Sequence, residues 1–280
     1  MKKINLTVVI LTFNEELNIR TSLNSVSDWA KYVYILDSES KDQTCNIALE
    51  YGAEIFLRKF DTFANQRNYA ISELPLKTEW MLFLDADEYL LDSLKSEIND
   101  AIYNKKYDGF YLKRRFYFMG KWIKYGGYYP TWILRLFKHK LASCNRDVNE
   151  HVVVNGKIGK LKCDFVDNNK KDVTDWIEKH NKYSTFEAIE LIKNHKNSIE
   201  IDEMANIFGT QVERKRWVRE RVWNRLLPPL IRPWLYFFYR YILRLGFLDG
   251  KEGFIYHTLH GLLYRILIDV KFVERKKNKK

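Results

Sequence analysis

Residues Trp80 to Tyr89 read Trp-Met-Leu-Phe-Leu-Asp-Ala-Asp-Glu-Tyr. An apolar run that ends abruptly in two carboxylates spaced i, i+2 is the pattern of a buried strand delivering Asp85 and Asp87 to its carboxyl end. In an open α/β sheet the carboxyl ends of strands are where ligands bind. Two hard oxygen ligands there suit Mg²⁺ or Mn²⁺, which keeps several waters and takes phosphate oxygens as well. An Asp-x-Asp alone is common in surface turns. Its place at the end of a fully apolar run gives it weight.

Three further apolar runs supply the strands that such a site needs: Leu6 to Leu11, Tyr32 to Leu36 and Glu54 to Arg58. Between the first two, Asn14 is an expected N-cap, and Ile19, Leu23 and Val26 line one helical face. Between the second and third, Ser40-Lys-Asp-Gln43 has capping-box spacing, and Gly52 stands where a helix end needs a left-handed residue. Strand–helix alternation predicts a mostly parallel sheet with helices on both faces. Polar clusters then fall at the strand ends: Thr12-Phe-Asn-Glu15, Asp37 to Thr44, and Asp85-Ala-Asp87. Helix capping is the competing reading for Ser40 and Thr44. No Gly-x-Gly-x-x-Gly or Walker sequence occurs, which argues against a dinucleotide or an ATP in a P-loop. A carboxylate-rich metal site suits a nucleoside diphosphate carrying something to be transferred.

In these motifs the chain resembles the family-2 glycosyltransferases, with the GT-A fold. The residues that carry the likeness are Val8 to Glu15, Asp37-Ser38 with Asp42 and Thr44, Asn65-Gln-Arg67-Asn68, and Leu84 to Glu88, in order over about 90 residues. A looser likeness, to the bacterial lipopolysaccharide-core β-glucosyltransferase type, rests on Trp132 to Phe137, Arg146 to His151 with Gly156 to Leu161, and Leu245 to Gly250. The resemblance implies that Thr12, Asn14, Glu15 and Asp37, with Ser38 and Asp42, hold the nucleobase and ribose of the donor. Arg67 would approach the diphosphate, its alternative being a helix-surface salt bridge. Asp85 would face the ribose or a metal-bound water, and Asp87 would ligate Mg²⁺ or Mn²⁺. The implied reaction is a single displacement with inversion, in which a carboxylate takes the acceptor's proton. Glu150 is the first candidate base and Asp147 the second. Relatives carry His before that Glu, whereas here Asn149 precedes it, and a plain surface loop is the competing reading.

Trp122, Tyr125, Tyr128, Tyr129 and Trp132 crowd a Gly-rich stretch and suit either sugar stacking or packing under a loop. Trp132 and Arg135 are the candidate acceptor contacts, with Lys138 beside them. The processive Gln-x-x-Arg-Trp is absent, Gln211 to Trp217 being only a superficial match, so one sugar is expected per turnover.

At 280 residues, 46% hydrophobic and 15% aromatic, the chain predicts a folded protein. Three cysteines without paired spacing indicate neither a disulfide frame nor zinc, and the first residues read as a strand rather than a signal peptide. Residues 211–280 hold 17 Lys and Arg against 6 Asp and Glu, leaving 30 of each for the rest, so the formal excess of +11 lies wholly in the tail. Two apolar stretches there, from Trp234 and from Phe254, fall short of the ~20 charge-poor residues needed to span a bilayer. Arg240, Arg244 and Arg265 recur through them, as in a helix lying in an anionic membrane interface. Packing of these helices on the core is the alternative. Nucleic acid is disfavoured because the aromatics form continuous blocks. His180, His195, His257 and His260 are expected as surface or interfacial residues.

The expected organisation is a GT-A domain over residues 1–171 and a helical, basic, membrane-associating extension over 172–280. The expected function is inverting hexosyl transfer from a UDP-sugar to a lipopolysaccharide-core or lipid-linked glycan, peripheral on the cytoplasmic face of a bacterial membrane. The alternatives are a non-catalytic membrane- or glycan-binding module, and a nucleotidyltransferase that would bring a Gly-rich triphosphate loop.

Overall fold

The computed structural model describes residues 3–104, 106–145, 151–196 and 227–278. It divides into two compact units, one of residues Met1–Lys124 and Tyr128–Lys171, the other of Tyr125–Gly127 and Asp172–Lys280.

The first unit is built on a nine-stranded mixed sheet. Its first half comes from β1 (Ile4–Thr12), β2 (Ala30–Asp37), β3 (Glu54–Leu57) and β4 (Trp80–Asp85). These four pair in parallel in the order β3-β2-β1-β4, with Thr12 level with Asp37 and Leu11 with Asp85. The apolar runs are continuous because both faces are covered. Val8 and Ile10, with Leu82 and Leu84, join one core with α1 (Ile19–Val26), α2 (Thr44–Glu50) and α4 (Asp92–Tyr103). Val9, Met81 and Phe83 point the other way, into a core with α3 (Phe63–Ser72). Each such fully buried side chain contributes about 1.5–3 kcal/mol.

The second half of the sheet continues β4-β8-β6-β11-β5. β5 is Glu88–Leu90, β6 Gly109–Phe118, β8 Thr131–Lys138 and β11 Ile158–Asn168; the two-residue β7, Lys121–Trp122, pairs with β6. β8 lies antiparallel to β4 and to β6, and β11 parallel to β6. The carboxyl ends of β1, β2, β4, β6 and β11 therefore meet one edge. A separate hairpin joins β9 (Ala142–Asn145) to β10 (His151–Val154).

Two local expectations are corrected. Asn14 caps no helix: it has φ 53°, and its Oδ1 accepts from the Lys41 amide. Ser40 starts no capping box, because its hydroxyl is used across the loops, while α2 begins only at Thr44. Gly52 does take the left-handed conformation, φ 69°.

The second unit contains α5 (Val173–Lys196) and helices at Arg232–Phe238, Gly250–Tyr256 and Tyr264–Lys277. Asp269 binds Arg232 in a buried ion pair and accepts from the Leu230 amide. The Leu245–Gly250 turn receives the loop Tyr125–Gly127: Asp249 accepts from the Tyr125 amide at 2.9 Å, and the Gly126 amide donates to the Arg244 carbonyl at 2.9 Å. A Cβ on Gly126 would stand 2.1 Å from the His257 ring, so only glycine fits. His180 and His257 are not surface residues. The His180 ring stacks on Trp176 at 3.6 Å and meets Tyr264 edge-on, and His257 is fully buried. His195 and the Gln211–Trp217 match lie where no side chain is described.

Candidate active site

The loops after β1 and β2 lock together at the sheet edge. Asp37 is buried, accepting at one oxygen from the Ser40 amide and at the other from the hydroxyls of Thr12 and Ser40, both at 2.6 Å. The Asn14 amide donates to Ser40 Oγ, the Glu15 amide to Thr44 Oγ1, and the Glu16 amide to Asp42. Against the burial that would raise it, bonds from Thr44 and the Glu16 amide hold the Asp42 carboxyl low. Asp37 and Asp42 thus shape the loop, and Ser38, buried, takes a hydrogen bond from Gln66.

Beside this lattice, β4 ends in a buried charge cluster. Asp85 is bridged by two arginines, Arg67 from α3 at 3.0 Å and Arg135 from β8 at 2.6 Å. Arg135 also meets Glu88 at 2.5 Å, and Glu88 accepts the Asp85 amide with its other oxygen. Burial pushes the Glu88 carboxyl upward against the pull of Arg135, and Asp85 adds to the rise. Arg67 is 5% exposed with its guanidinium over the Phe83 ring, so it is no surface salt bridge. Arg135, expected to touch an acceptor, is also 5% exposed and is turned under the site. The cause is a bulge: Phe110 of β6 pairs with Leu136 and Tyr111 with Leu134, leaving Arg135 as the extra residue of β8. Bulges re-aim side chains in this way.

Asp87 is placed differently. Among the described residues its carboxylate meets Asn169 Nδ2, at 2.9 Å, and no cation bridges it. Asn169, just past the end of β11, is oriented by the Lys171 amide and Asn18 Nδ2, both donating to its Oδ1. Glu15 completes the rim. Burial raises its carboxyl, bonds from Asn18 and Lys171 Nζ oppose the rise, and the charge of Asp87 adds to it. A carboxylate that feels a second carboxylate's charge marks a place suited to a cation between or beside the two.

No group of three His, Cys, Asp or Glu among the described residues forms a metal cage. A divalent ion here would take Asp87 and fill its remaining positions with water and ligand phosphate, which is the coordination Mg²⁺ prefers. The donor set fits such an ion through Asp87, whereas both oxygens of Asp85 are already committed to arginines.

Asp147 and Glu150 lie outside the described residues. The hairpin that brackets them is anchored to α3 by Asn68, which accepts the Cys144 amide at 2.7 Å and donates to its carbonyl at 2.8 Å. Of the crowded aromatics, Tyr128 is buried against Phe116, while Trp122 and Trp132 have cations over their rings.

Glu88 and Asn169 were not expected at the site. Glu88 sits inside the acidic motif, and a polar Asn168-Asn169-Lys170-Lys171 cluster follows a strand, which is the same signal that marks Asp37 and Asp85.

Residues 7–159 match the model of glycosyl transferase family 2, more than half of the chain. The chain belongs to glycosyltransferase family 2. It is 27% identical over 269 residues to an uncharacterized glycosyltransferase of Rickettsia typhi, covering 91% of this chain and 82% of that one. One from Rickettsia bellii is 38% identical over 89 residues, 32% of this chain and 30% of the other. Among solved structures, residues 1–349 of Staphylococcus aureus TarS are similar at 16% identity and a TM-score of 0.47, over 99% of this chain and 92% of that one. Glucosyl-3-phosphoglycerate synthase of Mycobacterium tuberculosis, in complex with Mn²⁺ and UDP, is similar at 16% identity and a TM-score of 0.33, over 40% and 44%. The mixed sheet with helices on both faces is the GT-A arrangement that family-2 resemblance implies, followed by C-terminal helices.

Proposed function

We propose that this family-2 transferase moves one hexose, with inversion, from a UDP-sugar to a lipid-linked or lipopolysaccharide-core glycan at the cytoplasmic face of a bacterial membrane. The observation that carries the reading is the contrast within one motif. Asp85 is neutralised and held by Arg67 and Arg135, while Asp87, at the edge where the β1 and β2 loops converge, keeps its carboxylate available to a Mg²⁺ or Mn²⁺ ion. When bound, that ion supplies charge stabilisation for a departing diphosphate. The loops of Thr12 to Glu15 and Asp37 to Asp42 form the donor's nucleoside wall, Asp37 acting as the brace of that wall. Arg67 lies at the base of the site, where its charge favours the phosphates. Glu150, or Asp147, on the hairpin that Asn68 anchors, takes the acceptor hydroxyl's proton. The acceptor hydroxyl attacks the anomeric carbon from the face opposite the diphosphate, forming the new C–O bond as the bond to the diphosphate breaks, so the configuration inverts.

The membrane part of the reading rests on the second unit. Trp234, Leu235, Phe238, Ile242 and Leu243 are all exposed, at helical spacing, beside a chain rich in Lys and Arg. Exposed apolar patches of this kind mark a partner or a membrane. No described helix is long and apolar enough to cross a membrane.

The test is turnover. The chain, Mn²⁺ and a panel of UDP-, GDP- and dTDP-hexoses are incubated with bacterial glycolipid extract, and nucleoside diphosphate release is followed. Release from one UDP-hexose, dependent on metal and extract, with an inverted anomer by NMR, is expected. Retention of configuration, or release indifferent to metal, would overturn the mechanism.

A further inference from the structure

Where β11 ends, four polar residues, Asn168-Asn169-Lys170-Lys171, close on the acidic turn that follows β4. The Asn168 amide donates to the Asp87 carbonyl at 2.9 Å, and Asn169 Nδ2 donates to the Asp87 carboxylate at 2.9 Å. Consecutive residues thus fix both the backbone and the side chain of Asp87. Lys170 Nζ reaches the Thr21 hydroxyl and Lys171 Nζ the Glu15 carboxylate, both at 2.6 Å. The same four residues therefore also grip α1 and the loop that precedes it.

The direction of these bonds follows from two backbone amides. A backbone amide can only donate, so the side-chain atom that faces it must be an oxygen. The Lys171 amide faces Asn169 at 2.8 Å, and the Lys170 amide faces Asn18 at 2.8 Å. Each asparagine is thereby turned with its oxygen to the chain and its NH2 away from it. Asn18 then donates to Glu15 at 2.7 Å and to Asn169 Oδ1 at 3.2 Å, and Asn169 donates to Asp87. Asn18 is 1% exposed, so its amide is shielded from water.

The two ends of Asn169 have different tasks. Its Oδ1 takes two bonds from the residues around it, and its NH2 serves Asp87. Among the described residues that NH2 meets one oxygen of the carboxylate, Oδ2, and nothing holds the other. A carboxylate restrained at one oxygen offers a cation the other, singly. That suits Mg²⁺ or Mn²⁺, which takes few carboxylates and completes its shell with water and phosphate. It suits Ca²⁺ less, because Ca²⁺ takes about six to eight oxygens and often both of one carboxylate. A guanidinium in this place would cancel the charge, as happens at Asp85. A neutral amide positions Asp87 and leaves its charge for the ion.

We propose that Asn169 is the positioning residue of the metal site, presenting Asp87 through a single oxygen and so favouring Mg²⁺ or Mn²⁺ over Ca²⁺. This rests on the transferase reading above and deepens it, naming the residue that selects the ion beside the donor's diphosphate. Partners that orient a metal ligand are worth about 10–100-fold in metal affinity.

The experiment follows Mn²⁺ by electron paramagnetic resonance as it binds the full chain with UDP present, then displaces it with Ca²⁺. The wild type is compared with Asn169→Ala, Asn169→Asp and Asp87→Ala. Asn169→Asp decides, because a carboxylate there still accepts from Asn18 and the Lys171 amide but cannot donate to Asp87. Asn169→Ala is expected to bind Mn²⁺ about tenfold more weakly, with Ca²⁺ affected less. In Asn169→Asp the ratio of Mn²⁺ to Ca²⁺ affinity is expected to fall about tenfold, since two adjoining carboxylates suit the larger ion. A residue that only fastened the chain would move both ions alike and leave that ratio unchanged. A wild type that binds no Mn²⁺, or an Asp87→Ala variant that binds it as well, overturns the donor-site reading and this proposal together. Mn²⁺ binding that is lost in Asp87→Ala, with a wild-type ratio in Asn169→Asp, overturns this proposal alone. So does a wild type that takes Ca²⁺ as readily as Mn²⁺.

Discussion

Asp85 and Asp87 are one residue apart in spacing but far apart in chemistry. Asp85 belongs to a buried network in which Arg135 offsets two carboxylates. Removing one member of such a network is worse than never having built it, because a charge is left desolvated and alone. Arg135→Met is therefore expected to cost about 3–5 kcal/mol in denaturant unfolding. Adding Glu88→Met should restore much of that loss, since the orphaned carboxyl is gone. If the double variant is no better than the single one, Glu88 is not what Arg135 serves. The acidic pair was legible in sequence because an apolar run ended on it. The arginine beneath it was not. Its position depends on a bulge in β8, which exists only in register against β6, and Arg135 reads locally as an ordinary outward residue of a strand. Glu88 was hidden for the related reason that a third acid in an acidic motif looks solvated until Arg135 is seen above it.

Among elements, the parallel strands were readable and their helices nearly so. Strands covered on both faces must be apolar throughout, so β1, β2 and β4 announce themselves. Helix starts were less readable, because Asn14 and Ser40 bond across loops instead of capping their own helices, and such pairings are invisible within one segment. The β9–β10 hairpin offers a test of long-range anchoring. Asn68→Ala removes its two hydrogen bonds to the Cys144 amide and carbonyl, an expected loss of about 2 kcal/mol. If that hairpin presents the base, turnover should fall while UDP affinity holds. In the second unit, burial pushes His180 down to about 4, against its bond to the Trp176 carbonyl, with Lys179 lowering and Glu187 raising it further. His257 is likewise pushed down to about 4 by burial, with Arg240 adding to it. The folded state then binds fewer protons than the unfolded one between pH 4 and 6.5, so stability rises with pH there and is lost as pH falls from 6.5 toward 4. Thermal melts at pH 7 and 5 should show a lower Tm at pH 5, and His180→Phe, which keeps the stack on Trp176, should narrow the gap. An unchanged gap in that variant would remove His180 from the account.

For the whole molecule, charge and apolar exposure are divided between the units. Basic residues concentrate in the last quarter of the chain, and that is where Trp234, Phe238 and Leu243 stand 59%, 52% and 63% exposed. Each basic residue near an anionic bilayer adds about 1 kcal/mol to an interfacial helix. Trp234→Glu with Phe238→Glu should abolish flotation of the chain with phosphatidylglycerol vesicles without altering its melting temperature, because neither ring is buried. Retained flotation would leave the exposed face to another partner. The acid-free stretch from Gly109 to Arg146, by contrast, escapes any whole-chain tally, since acids elsewhere in the first 210 residues cancel it.

All of this depends on Asp87 holding a metal that holds a nucleotide. Calorimetric titration of UDP, GDP and dTDP, with and without Mn²⁺, into the wild-type chain and Asp87→Ala tests that directly and needs no acceptor. UDP is expected to bind in a metal-dependent manner, and the substitution to weaken it by about a hundredfold. A folded chain that binds none of the three, or an Asp87→Ala variant that binds UDP as tightly as the wild type, would contradict it.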